Sequence, residues 1–295
     1  MTRVLITGGC GFLGATFASL ARGAGHDVVT ADILPDADRK LDASDPDAIA
    51  AVVASVKPDA IVHLAAGLTD AGERDPVGTT RLNALGTAAV FTAAEANGVD
   101  RVIYATSISA VGPTTGSVGD DTRLNPGNVY GATKAFAEHL AAAMHSRPNA
   151  PAYLGLRFGY VYGPGRVRGW REVQNLVDRV AAGERHLDYP DFPDAMDWTW
   201  IDDAVAVLLA TIERPLPRNA VLNVVGDKRH VRDAIASLQR RFPDLSATPV
   251  AARTPPAAWG LVNDGIGELL GTIPSTTLEQ GIDRLLAARL ARPSA

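Results

Sequence analysis

The chain has 295 residues, of which 46% are hydrophobic and 21% are charged, and its formal net charge is −5. Lys and Arg form no basic stripe, which argues against a nucleic-acid partner, and no apolar run reaches the roughly 20 residues of a membrane span. The single cysteine, Cys10, excludes an intramolecular disulfide, and the six histidines lack ligand spacing, so we expect no metal site. We therefore expect an enzyme-sized, cytoplasmic protein without a nucleic-acid or membrane partner, either one large α/β unit or a domain with a smaller appendage.

Short apolar runs alternate with longer helical patterns over the first half of the chain. Residues 3–7 indicate a buried strand, and apolar residues then recur at helical spacing from 12 to 23. Further strands are predicted at 27–32, 60–64, 101–106 and 152–157, and further helices at 46–57, 79–96 and 130–145. Such alternation is typical of a doubly wound α/β fold, in which a parallel sheet is covered on both faces.

The pattern changes beyond residue 157, because Gly, Pro, Trp and charged residues become frequent between 159 and 200. Helices are predicted at 173–182, 202–213 and 277–290, and strands at 197–201 and 220–225. The predicted domains are a first domain over 1–157, whose sheet is completed by 197–225, and a smaller substrate-binding region over 158–196 and 226–295.

A glycine-rich segment, TGGCGFLG at residues 7–14, lies between the first predicted strand and the first predicted helix. Gly8, Gly11 and Gly14 suit a tight turn, close approach of the backbone to a pyrophosphate, and close packing of helix on strand. Asp32 ends the second predicted strand, where a carboxylate can accept both ribose hydroxyls of NAD and repel the 2′-phosphate of NADP. This position favours a dinucleotide site over a structural turn, and we predict a Rossmann domain that binds NAD.

Tyr130 and Lys134 are four residues apart and therefore share one face of a predicted helix. A nearby ammonium and the positive nicotinamide ring of NAD both favour the phenolate, so the pair can take a proton from a substrate hydroxyl. The alternative is an ordinary helix that happens to carry these two residues. Ser107 favours the catalytic interpretation, because it follows the fourth long predicted strand, at the end of the sheet where such folds bind ligands.

Together these segments resemble the extended short-chain dehydrogenase/reductase family, also called the NAD-dependent epimerase/dehydratase family. The resemblance rests on TGGCGFLG at 7–14, HLAA at 63–66, Asn83 with Gly86 and Thr87, Ser107, and the Tyr130–Lys134 pair. It continues through LRF at 156–158, VYGPG at 161–165 and DWTWIDD at 197–203.

The resemblance implies that Tyr130 is the general acid/base, that Ser107 assists it by a hydrogen bond, and that Lys134 holds the nicotinamide ribose. The implied cofactor is NAD. Its binding residues, besides Tyr130 and Lys134, would be Gly8, Gly11, Phe12, Leu13, Gly14, Asp32, Ile33, Asp42, Ala43, Leu64, Ala65, Ala66, Asn83, Phe158 and Val161. For Asn83, a helix-bending side-chain bond to the backbone is an equally good interpretation.

The implied substrate is a small molecule. The residues expected to contact it are Thr69, Ser107, Ser109, Tyr160 and Arg166. The family resemblance also implies a homodimer, built on the helices that begin near Thr79 and Tyr130.

The chain departs from the family's sugar-nucleotide members at two positions. Tyr160 stands where they commonly carry Asn, and Met196 stands where they commonly carry Arg, so two partners for a nucleotide diphosphate are missing. Arg166, Arg168 and Arg171 could substitute for them from the neighbouring loop.

Three hypotheses for the function follow. The first is an NAD-dependent oxidoreductase that acts on a hydroxyl-bearing carbon of a small polar substrate, such as a hydroxy acid, an amino acid or a sugar derivative. A local resemblance of residues 63–76 to short-chain-type L-threonine dehydrogenases favours this substrate size, with Thr69 facing the substrate. The alternative is a sugar or sugar-nucleotide epimerase/dehydratase that retains its NAD. A non-catalytic NAD-binding regulator is the third, and the intact Ser107, Tyr130 and Lys134 argue against it.

Overall fold

The computed structural model describes residues 1–114, 116–252, 260–262, 265–272 and 274–291. The strands are β1 (Arg3–Thr7), β2 (Asp27–Asp32), β3 (Arg39–Lys40), β4 (Ala60–His63), β5 (Arg101–Ser107), β6 (Ala152–Phe158), β7 (Tyr160–Tyr162), β8 (His186–Asp191), β9 (Met196–Trp200), β10 (Asn219–Val224), β11 (Asp227–Arg229) and β12 (Ser246–Ala251). The α-helices are α1 (Phe12–Gly23), α2 (Pro46–Val56), α3 (Thr69–Arg74), α4 (Pro76–Thr80), α5 (Gly86–Ala96), α6 (Val129–Met144), α7 (Glu172–Ala181), α8 (Ile201–Glu213), α9 (Val231–Arg241), α10 (Gly265–Leu270) and α11 (Leu278–Leu290).

The central sheet has seven parallel strands in the order β10-β6-β5-β4-β1-β2-β3. Both faces are covered: Val4 and Ile6 of β1 belong to one hydrophobic cluster, whereas Leu5 between them belongs to another. The strand order reverses at β1, so the loops after β1 and β4 flank the crevice where open α/β sheets bind ligands. The predicted doubly wound fold is confirmed.

Local sequence signals set the start of several helices. The Asp45 carboxylate accepts hydrogen bonds from the first turn of α2, and Pro46 occupies the first helical position. Asp75 and Pro76 repeat this signal at the start of α4, so the predicted helix over 79–96 begins earlier than expected. A π-helical turn, Arg81–Leu85, then joins α4 to α5.

Two smaller sheets lie outside the central one. One has the order β11-β9-β7, and the other pairs β12 with β8. Two strands were predicted within 197–225 to complete the central sheet, and only β10 joins it. Strand β9 pairs instead with β7 and β11 in a separate three-stranded sheet. Parts of the predicted region 226–295, namely 253–259, 263–264, 273 and 292–295, lie outside the described residues. Within the described part of the chain, no helix is long and apolar enough to cross a membrane.

Candidate active site

The three predicted catalytic residues come together at the carboxyl end of β5. Ser107 is the last residue of that strand, and Tyr130 and Lys134 lie in the first two turns of α6. The helix begins here because the Asn128 side chain accepts a hydrogen bond from the Gly131 backbone at 2.7 Å. The Lys134 ammonium donates to the Ala105 carbonyl at 2.8 Å and lies 5.6 Å from the centre of the Tyr130 ring. A phenol, a hydroxyl and an ammonium therefore share one small site.

Burial dominates the electrostatics of this site. It raises the pKa of Tyr130, while a hydrogen bond with Ser107 and the positive charge of Arg166 act in the opposite direction. Burial also lowers the pKa of Lys134 to about 8, and the nearby carboxylate of Glu138 opposes that shift. Lys134 is therefore mostly protonated at neutral pH, and its charge favours the phenolate form of Tyr130.

A buried ion pair, which is not among the predicted site residues, supports α6 beneath Lys134. The Glu138 carboxylate accepts hydrogen bonds from Arg157 at 2.6 and 3.0 Å and from the Thr106 hydroxyl at 2.6 Å. Arg157 also donates to the Asp120 carbonyl at 2.9 Å. The sequence offered one indication of Glu138: it follows Lys134 by one helical turn and therefore lies on the same face of the predicted helix.

The predicted glycine loop has the geometry that a dinucleotide phosphate requires. Gly8 has a φ of +70°, and a Cβ at this position would lie 2.6 Å from the Ala65 nitrogen, so the loop packs against the segment after β4. No side chain caps the N-terminus of α1, and its first backbone N–H groups lack intrahelical partners. These donors, with the helix dipole, fit an anionic pyrophosphate. The loop and the start of α1 therefore fit NAD.

Asp32 is fixed at the end of β2, next to the glycine loop. Its carboxylate accepts hydrogen bonds from the backbone of Cys10 at 3.0 Å and of Leu34 at 3.2 Å. A carboxylate has about four acceptor sites, so two remain for ribose hydroxyls. Ile33 beside it is 63% exposed, whereas Asp42 turns back to accept hydrogen bonds from the Ser44 backbone and hydroxyl at 2.9 and 2.7 Å.

We expect Asp32→Asn to weaken NADH binding about 10–100-fold, because charge-assisted hydrogen bonds to the ribose are lost. NADPH should gain affinity relative to NADH, because the repulsion of its 2′-phosphate is removed. Fluorescence titration with both nucleotides measures the ratio. Asp36→Asn is the matched control, since Asp36 is an exposed residue of the same loop and the charge change is identical. An NADPH-preferring wild-type protein would contradict the assignment.

Asn83 connects two segments of the site. Its side chain accepts a hydrogen bond from the Gly67 backbone at 2.8 Å and donates to the Gly67 carbonyl and the Thr133 hydroxyl, both at 3.0 Å. These bonds leave its own helix, so the helix-bending interpretation is wrong. They tie the loop after β4 to α6, close to Lys134. Neighbouring His63 is buried and bonds to two threonine hydroxyls, and burial lowers its pKa to about 3.

The remaining predicted cofactor residues differ in burial. Ala43 is buried beside Gly86, whereas Leu64, Ala65 and Ala66 are partly exposed along the loop after β4. Phe158 and Val161 are 5% and 4% exposed and belong to the hydrophobic core, so their side chains offer little surface to a ligand.

The predicted substrate residues differ in their contacts and in their exposure. Ser109 donates its backbone N–H to the Ser107 hydroxyl at 3.2 Å, and Thr69 is exposed at the start of α3. The Tyr160 ring packs against Trp170, with centroids 4.6 Å apart. Arg166 places its guanidinium 5.6 Å from the centre of the Phe12 ring and near enough to Tyr130 to influence its charge. Among the described residues, no group of three potential metal ligands occurs.

A family comparison agrees with this geometry. Residues 4–224 match the model of the NAD-dependent epimerase/dehydratase family, which covers most of the chain. The chain belongs to this family and is an NAD-dependent enzyme of the extended short-chain dehydrogenase/reductase type.

Individual relatives have different activities. The 2′-dehydrokanamycin reductase of Streptomyces kanamyceticus is 33% identical over 54% of this chain, a match that spans only 43% of that enzyme. The structure of MoeE5 in complex with UDP-glucuronic acid and NAD is 28% identical, with a TM-score of 0.82 over 96% of this chain and 97% of that one. L-threonine 3-dehydrogenase from Trypanosoma brucei is 20% identical and shares the fold, with a TM-score of 0.87 over 100% of both chains.

Proposed function

We propose that the protein is an epimerase or dehydratase of a sugar nucleotide or related sugar, and that it retains its NAD between turnovers. The observation that carries the proposal is the juxtaposition of Ser107, Tyr130 and Lys134 beside the glycine loop. The likeness to MoeE5, which binds a UDP-sugar and NAD, supports this proposal over simple oxidation of a small substrate.

In this proposal Tyr130 accepts the proton of a substrate hydroxyl and later returns it. Ser107 orients that hydroxyl by a hydrogen bond, and the Lys134 ammonium stabilises the phenolate. When bound, NAD would supply a reversible hydride acceptor. The residues that would hold it are the glycine loop with the start of α1, Asp32 at the adenosine ribose, and Lys134 at the nicotinamide ribose.

The second candidate is net oxidation or reduction of a small polar substrate. Tyr160 and Met196 favour it, because neither is a partner for a diphosphate. Met196 is fully buried, and Tyr160 packs against Trp170. Neither side chain carries a positive charge that could bind a nucleotide diphosphate. The 33% identity to a reductase over half of the chain is compatible with this candidate.

The fate of NAD separates the two candidates. Purified protein is passed through gel filtration, its nucleotide is extracted and quantified, and the protein is then incubated with UDP-glucose or UDP-glucuronate under NMR observation. We expect NAD to remain bound and the sugar to change without accumulation of free NADH. The Tyr130→Phe protein, treated identically, is the control for contaminating activity. Stoichiometric release of NADH with each turnover would favour the second candidate and contradict the first.

We also propose that the protein forms a homodimer through the layer of α5 and α6. Leu85, just before α5, and Phe136 on α6 are 44% and 41% exposed and offer apolar surface to a partner on this layer. Phe136→Glu should convert the dimer to a monomer in light scattering after gel filtration. Leu290→Glu, at an exposed apolar residue of α11, is the matched control. A monomeric wild-type protein would contradict this proposal.

A further inference from the structure

The guanidinium of Arg166 lies over the Phe12 ring in the first turn of α1 and close enough to Tyr130 for the two groups to interact electrostatically. Arg166 belongs to the loop between β7 and α7, and its Cζ is 5.6 Å from the centre of the Phe12 ring. The charge of Arg166 and the phenol of Tyr130 each influence the ionisation of the other. Gly169 leaves room for the guanidinium, since a Cβ there would lie 3.0 Å from its Nη2. The cation therefore lies beside the first turn of α1 and in the neighbourhood of Tyr130.

Hydrogen bonds to the backbone hold this side chain and its loop in place. The buried Gln174 amide donates to the carbonyls of Gly163 and Arg166 at 2.8 and 3.3 Å, which fixes the loop backbone. The Arg166 Nε donates to the Trp170 carbonyl at 3.2 Å. Within the described stretches of the chain, no carboxylate lies within 4.0 Å of the guanidinium, and its two Nη groups donate to no residue.

A partly buried cation without a carboxylate is unfavourable unless an anion completes its site. Burial lowers the pKa of Arg166 to about 10, so the guanidinium remains charged at neutral pH. The other arginines of the loop differ, since Arg171 pairs with Asp178 at 3.2 Å and Arg168 is exposed. Arg166 alone among these three influences Tyr130.

We infer that Arg166 binds a carboxylate of the substrate, positioned within a few bonds of the hydroxyl on which Tyr130 acts. The inference rests on the proposed function for the role of Tyr130 and adds the substrate class. An anion held by Arg166 would lie close to the reacting carbon, because the same guanidinium is near enough to the Tyr130 phenol to influence its ionisation. A planar guanidinium whose two Nη groups donate to no described residue suits the two oxygens of a carboxylate. The preferred substrate is therefore an acidic sugar, free or as its nucleotide, and not the neutral sugar.

Calorimetric titration with matched acid and neutral ligands tests this inference. The pairs are UDP-glucuronate with UDP-glucose and galacturonate with galactose, titrated into NAD-loaded Tyr130→Phe protein so that turnover is slow during the titration. In each pair that binds, we expect the acid to bind more tightly. Adding Arg166→Met should weaken acid binding about tenfold or more and change neutral binding less than about twofold. Arg166→Lys should give an intermediate loss, and Arg240→Met, the control at an exposed arginine of α9, should give none.

Three outcomes would overturn the inference. The first is an equal loss of affinity for the acid and the neutral ligand in the Arg166→Met variant. The second is a fall in NAD affinity that accounts for the loss, which would indicate that Arg166 holds the cofactor pyrophosphate. The third is that neither acid binds more tightly than its neutral counterpart. Its failure is distinguishable from failure of the proposed function. If the acid preference depends on Arg166 but the wild-type protein releases NADH with each turnover, the proposed function is contradicted and this inference remains intact. If the protein retains its NAD but turns over only neutral sugars, the proposed function is supported and this inference is contradicted.

Discussion

Tyr130→Phe should lower turnover by roughly 10²–10⁴-fold, the range typical of losing a general acid/base, while NAD affinity remains nearly unchanged. The variant removes only the ionisable oxygen and keeps the ring that lies 5.6 Å from the Lys134 ammonium. Turnover is measured by NMR on the sugar product, and NAD affinity by protein fluorescence.

Tyr153→Phe is the matched control for this substitution. Tyr153 is a fully buried tyrosine of β6 that packs against Phe91, and its hydroxyl has no hydrogen-bond partner among the described residues. The same chemical change there should leave turnover close to that of the wild type. Undiminished turnover in the Tyr130→Phe protein would exclude Tyr130 as the proton acceptor.

The site could be predicted as far as its parts are local in sequence. The glycine loop is one continuous segment, and Tyr130 and Lys134 are joined by a single helical turn. Ser107 needed only the rule that ligands bind at the carboxyl ends of parallel strands, together with a strand that the apolar run at 101–106 made visible. Strand β1 and helix α1 were likewise predicted with the observed bounds, because strong periodic patterns end at recognisable glycines.

The parts that escaped prediction depend on pairings between distant segments. Nothing in the sequence of β9 indicates that it pairs with β7 and not with the central sheet, since a short apolar strand does not specify its partner. Arg166 could be named from its loop, but its approach to Phe12 and Tyr130 requires three separate segments to meet. Of the two interpretations of Asn83, the one within its own helix fails, because the hydrogen-bond partners are Gly67 and Thr133. Spacing along one element cannot reveal such contacts.

Among these contacts between distant segments, the Glu138–Arg157 pair is the one whose loss we expect to change stability most. Both side chains are almost fully buried, at 5% and 4% exposed, and removal of one partner leaves a buried charge uncompensated. The pair also joins α6 to β6, and thereby fixes the helix that carries Tyr130 and Lys134. Its loss should therefore affect both the stability of the fold and the protonation of the site.

Glu138→Gln should lower the free energy of unfolding by about 3 kcal/mol, near the lower end of the usual range because Arg157 keeps its bond to the Asp120 carbonyl. Urea denaturation followed by tryptophan fluorescence measures this loss. Glu95→Gln is the control, because the Glu95–Arg147 pair has side chains 22% and 54% exposed and the expected change is below about 1 kcal/mol. Similar losses in both variants would contradict the assignment of a buried, stabilising pair.

The same substitution should change the pH dependence of turnover in a direction set by Lys134. The Glu138 carboxylate raises the pKa of Lys134 against the effect of burial, so its removal should move that pKa below about 8. A smaller fraction of Lys134 is then protonated at neutral pH, and the phenolate of Tyr130 is less favoured. Because acid restores the ammonium, the ratio of variant to wild-type turnover should rise as the pH falls from about 8 to about 6. A ratio that is constant over this range would show that Glu138 acts only on stability, since misfolding alone would not follow the protonation of a single lysine.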